Sequence, residues 1–150
     1  HRKAEKKQKR YYSGKKKRPT LKSQVVVDKQ SQRVICTHFC KGKQHDFKLY
    51  QSSNVRPMRE TEVKVDSGYQ GAQHGHAKTS LPIKKKKGQA LSSEAKQVNQ
   101  QRASQRALNE HIIGRLKRFK IISCRYRNRR KRFTLRFNLI AGIHNFELGD

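Results

Sequence analysis

Acidic residues are what this sequence has least of: 10 Asp and Glu stand against 38 Lys and Arg, a formal net charge of +28. Tryptophan is absent, methionine occurs once, and there are three Pro and three Cys. No run of about 18 apolar residues exists, which speaks against a membrane-spanning helix, and a membrane partner would want such a span or a strongly amphipathic anchor. The start of the chain lacks the apolar core of a secretion signal. An odd number of cysteines without such a signal fits a reducing, intracellular setting better than a disulfide framework. The cation excess calls for a polyanionic partner, and nucleic acid is favoured because neutralised phosphates release counterions. In so basic a chain each acid is informative, and two are singled out by their settings, Asp66 and Glu110.

Ten of the first 18 residues are Lys or Arg, around Tyr11 and Tyr12, a composition that repels itself unless phosphate is present. Residues 1–18 therefore read as a basic arm, mobile over its first ten residues. From Thr20 a strand-like alternation through Val25, Val26 and Val27, a polar turn over 28–33 and a second apolar run from Val34 to Cys40 predict a hairpin. Gly42 ends it, Asp46 is set to cap a helix through Phe47, Leu49 and Tyr50, and Pro57 closes that helix. Residues 62–66 predict a short buried strand with Asp66 at its tip. The preceding helix would serve as a crossover that pairs this strand in parallel within the same sheet. Gly68 and Gly71 then allow a sharp turn. A further short strand over 79–83 runs into Lys84, Lys85, Lys86 and Lys87.

Ser92 or Ser93, with Glu94 in the first turn, opens a helical region lasting to about Ile122, with a break expected near Ser104. Within it Leu108, Ile112, Leu116 and Phe119 share one face, and Glu110 lies well off that face. The basic run over 125–132 precedes a last helix in which Phe133, Phe137, Ile140 and Ile143 recur at helical spacing and should dock on the core. There are no internal repeats. The layout is mixed α/β, with a core over 19–124 and a basic run plus docking helix over 125–150.

The segments Tyr12-Ser-Gly-Lys-Lys-Lys17, Thr20-Leu-Lys22, Val25-Val-Val-Asp28, His45-Asp46, Asp66-Ser-Gly-Tyr-Gln-Gly71 and Glu110-His-Ile-Ile-Gly-Arg-Leu-Lys-Arg-Phe119 resemble, in order, DDE transposases of bacterial insertion sequences, nearest to the insertion-sequence-five-like group. The resemblance covers nearly the whole chain. It implies a ribonuclease H-like mixed sheet with flanking helices, amino-terminally truncated, and an enzyme that cuts transposon ends and joins them to target DNA in the cytoplasm or nucleoid. It also implies Mg²⁺ or Mn²⁺ as cofactor, DNA as partner and a homodimer on DNA as one assembly. Asp66 matches the family's second acid and Glu110 its third. The first acid, on a strand just before the Tyr12 motif, has no match here, so the chain is expected to be inactive alone.

Three acids are wanted because phosphodiester chemistry with two hard ions needs one bridging carboxylate and one further acid for each ion. Phosphate contacts are assigned to Lys15, Lys16, Lys17, Lys84, Lys85, Lys86, Lys87, Arg115, Lys117, Arg118, Arg125, Arg127, Arg129, Arg130, Lys131 and Arg132. Plainer roles stand beside these. Asp66 suits a turn before Ser-Gly, and Glu110 could pair with Arg106 one helical turn earlier. Cys36, His38 and Cys40 alternate along one strand face near His74 and His76, which allows a zinc reading or simple packing. Tyr11, Tyr12 and Tyr69 could stack on bases or serve structure, and His111 and His144 suit packing or surface positions. A non-enzymatic ribosome- or nucleoid-associated binder would share the charge without needing either acid. A decaying transposase fragment would keep only DNA binding or a regulatory role.

Overall fold

The computed structural model describes residues 9–85, 88, 90–126 and 130–149. The expected hairpin forms its centre: β3 (Leu21–Val27) pairs antiparallel with β4 (Val34–Lys41), with an irregularity between Val26 and Val27. Asp28 builds the connecting turn by accepting from the Ser31 amide and hydroxyl at 2.7 and 2.6 Å. These bonds hold its carboxyl below the usual range. Ahead of the hairpin, β1 (Tyr12–Ser13) and β2 (Arg18–Pro19) form a smaller antiparallel pair, so the basic stretch is folded from Tyr11 onward. It is stitched to β3 and β4 through Thr20, whose amide donates to Tyr11 O while its carbonyl accepts from Gly42.

Alternation gives the large hairpin two different faces. Leu21, Val25, Val27, Val34 and Phe39 pack into the main core with Ile112, Leu116, Phe133, Phe137, Ile140 and Ala141. The ring of Phe39 meets Phe133 and Phe137 edge-on at 5.4 and 5.1 Å. The partners come from α2 (Ser93–Lys117) and α4 (Phe133–Glu147), which follows the short α3 (Lys120–Ser123). Helix α4 docks as expected through Phe133, Phe137 and Ile140, and adds the buried His144, whose Nε2 lies 3.1 Å from Gln32 O. Its Asn145 also pairs with both backbone groups of Val34. The opposite face of the hairpin carries Lys22, Gln24 and His38, which meet α1 (Asp46–Ser52) through Asp46, Ser53 and Ser52.

Several boundaries differ from the expectation. Asp46 is the first helical residue and His45 holds the cap position without a side-chain cap bond. Helix α1 ends at Ser52, and Asn54 at φ +52° turns the chain before Pro57 is reached. The strand expected over 62–66 is only β5 (Val63–Lys64), and the one over 79–83 only β6 (Thr79–Ser80). Parallel pairing does occur, but between β5 and β6 and not with the hairpin; among the described residues each ladder has two strands. Helix α2 runs unbroken through Ser104 and ends instead before Phe119, because Ser104 is an exposed position where no packing demands a bend. Its cap is Ser92, whose hydroxyl accepts from Ala95 at 3.2 Å. The fold is thus α/β with small sheets and several helices.

Candidate functional site

Helix α2 connects the two halves of the molecule because it presents two unlike faces. Leu108, Ile112 and Leu116 turn toward the hairpin core. On the other side Asn99, Arg102, Arg106 and Glu110 fall within roughly 80° of one another at 100° per residue. The first three grip the segment after β5. Asn99 bonds both backbone groups of Ile83 at 2.8 and 3.0 Å, Arg102 donates to Leu81 O, and Arg106 Nη1 reaches Asp66 Oδ1 at 2.5 Å. Glu110 is the next residue along that stripe. It is exposed, and among the described residues it makes no hydrogen bond or ion pair. The expected alternative pair between Glu110 and Arg106 is therefore not made, since Arg106 is committed to Asp66.

Asp66 lies two residues past β5, not at the tip of a buried strand, and its side chain is 69% exposed. It caps the short 3₁₀ turn Ser67–Tyr69 by accepting from Ser67 N at 2.7 Å. The turn role and the ion pair both use Oδ1, and Oδ2 takes no bond among the described residues. Helix α1 cradles this turn. A Cβ on Gly68 would stand 2.6 Å from Asp46 Oδ2, and one on Gly71, at φ +104°, would stand 2.8 Å from the Phe47 ring. Tyr50 meets Tyr69 edge-on at 6.3 Å. Burial, followed by the charges of Asp46 and Asp66, pushes the Tyr69 hydroxyl up to about 12. Tyr69 is thus a packed structural residue of the turn. Asp46 is itself held by Lys22 at 2.9 Å.

Two exposed carboxylates with free oxygens are the right donor type for a hard divalent ion. Among the described residues no group of three or more His, Cys, Asp or Glu converges as a metal site. Asp66 and Glu110 are two such donors, one bonded to a residue of the helix that carries the other, and they fall short of the three acids a two-ion site needs. The same finding removes the zinc reading of Cys36, His38 and Cys40. His38 contacts Ser52 at 3.4 Å, burial pushes the Cys40 thiol up, and His76 is buried with Nε2 at 2.6 Å from Thr61 O. Alternation put Cys36, His38 and Cys40 on one face, but that face is occupied by α1.

The cations sort into groups. Lys15, Lys16 and Lys17 are exposed on the turn between β1 and β2, and Lys17 has φ +50°. Arg130 lies 4.2 Å over the Tyr11 ring, which brings the end of the C-terminal basic run, with exposed Lys131 and Arg132, to that amino-terminal hairpin. Tyr11 is thereby engaged within the chain. Lys84, Lys85, Arg115, Lys117 and Arg125 are exposed. Arg118 instead pairs with Glu147 and lies over Phe119, so it is partly spent on structure. Lys86, Lys87, Arg127 and Arg129 lie outside the described residues. His111 is exposed. The residue the sequence reading missed is Arg106 as the partner of Asp66; its signal was the four-residue spacing to Glu110, which marks a shared helix face but not what that face meets.

No helix among the described residues is long and apolar enough to cross a membrane. No solved structure matches the chain. A probable transposase for insertion sequence element IS702 from Microchaete diplosiphon is 45% identical over 143 residues, which is 95% of this chain and 52% of that protein. The chain thus spans about half the length of that curated relative. Residues 2–145 match the DDE superfamily endonuclease family, so that both acids, the glycine turn and nearly every element described lie inside the match, and the chain belongs to that family.

Proposed function

We propose that this chain is part of the catalytic domain of a DDE transposase that cuts transposon ends and joins them to target DNA, with a ribonuclease H-like core and Asp66 and Glu110 as metal-binding acids. The observation that carries the reading is the α2 stripe: Arg106 is fixed on Asp66, and Glu110 is one turn further along the same helix face. A bound Mg²⁺ or Mn²⁺ would activate the attacking oxygen and neutralise charge on the phosphate. Asp66 and Glu110 would hold it through hard oxygens, and the exposed cations would fix the duplex by its phosphates without reading its sequence. Assembly as a homodimer on DNA, in the nucleoid, belongs to the same reading.

The first acid has no counterpart, and Asp28 is spent on its own turn. This chain alone should therefore not cleave DNA. The test compares it with a chain extended upstream through an Asp-bearing strand, on labelled transposon-end DNA with Mg²⁺ or Mn²⁺. Cleavage and joining are expected only from the longer chain and should vanish in Asp66→Asn and in Glu110→Gln. Full activity in either variant would defeat the assignment, since a protein that only binds DNA needs neither carboxylate.

A further inference from the structure

The guanidinium that holds Asp66 comes from the helix that also carries Glu110. Arg106 Nη1 and Ser67 N both bond Asp66 Oδ1, at 2.5 and 2.7 Å. The Arg106 Nε is buried and has no hydrogen-bond partner among the described residues, so it is a donor available to a further acceptor. Glu110 does not take it, although it lies one turn away on the same face.

Resting on the reading of Asp66 and Glu110 as ligands, we infer that Arg106 is a positioning residue whose guanidinium competes with a divalent ion for Asp66 and gives the carboxylate up when a phosphodiester takes the guanidinium over. The reason is charge. An ion shared by Asp66 and Glu110 would lie close to a guanidinium already on the same carboxylate, and two cations on one carboxylate repel. Ion entry at the free Oδ2 therefore weakens the Arg106 ion pair and favours release of the guanidinium. The planar fork of a displaced guanidinium matches phosphate oxygens, and Nε adds a donor to that contact. Ion and phosphodiester then each raise the affinity for the other, because coupling between two binding equilibria is reciprocal.

The test is Mn²⁺ binding to the full 150-residue chain, read from the paramagnetic resonance signal of free Mn²⁺, with and without a short duplex and corrected for ion held by the duplex alone. Arg106→Gln should bind Mn²⁺ about two- to fivefold more tightly than the parent without DNA, the range an exposed ion pair supports. DNA should tighten Mn²⁺ binding by the parent and leave that variant unchanged. Arg106→Lys keeps the charge but lacks the fork and Nε, and should also lose the DNA-linked gain; it decides the question if the Gln variant does not fold by circular dichroism. A folded Arg106→Gln chain that binds Mn²⁺ no better than the parent, or a folded Gln or Lys variant that keeps the full DNA-linked gain, would overturn the inference, while loss of binding in Asp66→Asn leaves the site reading intact. Unchanged Mn²⁺ binding in both Asp66→Asn and Glu110→Gln would overturn the site reading and this inference with it.

Discussion

Replacing Gly71 by Ala tests whether the turn bearing Asp66 is held against α1. Gly71 sits at φ +104° and ψ −16°, where L side chains are strained, and an added Cβ would stand 2.8 Å from both Cε1 and Cζ of Phe47. Backbone strain of this kind costs about 1–3 kcal/mol. Forcing a methyl into an occupied contact costs about 1–3 kcal/mol more. Phe47 is only half-buried and can shift, so the sum should fall in the lower part of a range of about 2–6 kcal/mol. At this chain length that is a fall in Tm of roughly 5–15 °C. Urea unfolding followed by circular dichroism measures it directly. The companion is Gly114→Ala in the interior of α2, where an added Cβ meets nothing within 4 Å. That change should stabilise the chain by about 0.5–1 kcal/mol through the better helix propensity of Ala. The same chemical change thus has opposite signs at the two sites. If Gly71→Ala unfolds within about 0.5 kcal/mol of the parent, the turn is not packed on Phe47 and the geometry argued for Asp66 fails.

Leu116→Ala should cost about 2–5 kcal/mol in the same urea assay, because Leu116 is 1% exposed between α2 and the hairpin core. Leu139→Ala, at a position 64% exposed, should stay within about 0.5 kcal/mol of the parent. Tyr69 should ionise late in an ultraviolet titration, at about 12. Its ordinary value in the unfolded chain is lower, so its contribution to stability is complete below about pH 10 and is lost as pH rises toward 12. Loss of the late step on unfolding is expected, and its absence from the folded chain would contradict that packing. Changing Lys15, Lys16 and Lys17 together to Gln should weaken DNA binding about equally for all sequences and reduce the salt slope by up to about three. An unchanged slope would take that turn out of the interface.

Local order determined much of this protein. The hairpin, the Ser92 cap, the apolar faces of α2 and α4 and the glycine turn after Asp66 were legible because each depends on alternation, helical spacing or a nearby polar group, all of which act over a few residues. The motifs around Asp66 and Glu110 likewise pointed to the family without any coordinates. The partner of Asp66 was another matter. Arg106 had two acids to choose from, and the nearer one in sequence was the wrong choice; the docking of α2 by Asn99 and Arg102 onto residues 81 and 83 decided it. The length of β5 was also set by its surroundings, since a strand continues only while a neighbour can supply ladder bonds, and β6 ends at Ser80. Which cations stay free followed the same rule. Arg118 and Arg130 each stand among other cations in the sequence, yet one meets Glu147 and the other the Tyr11 ring, because residues distant in sequence were brought there by packing.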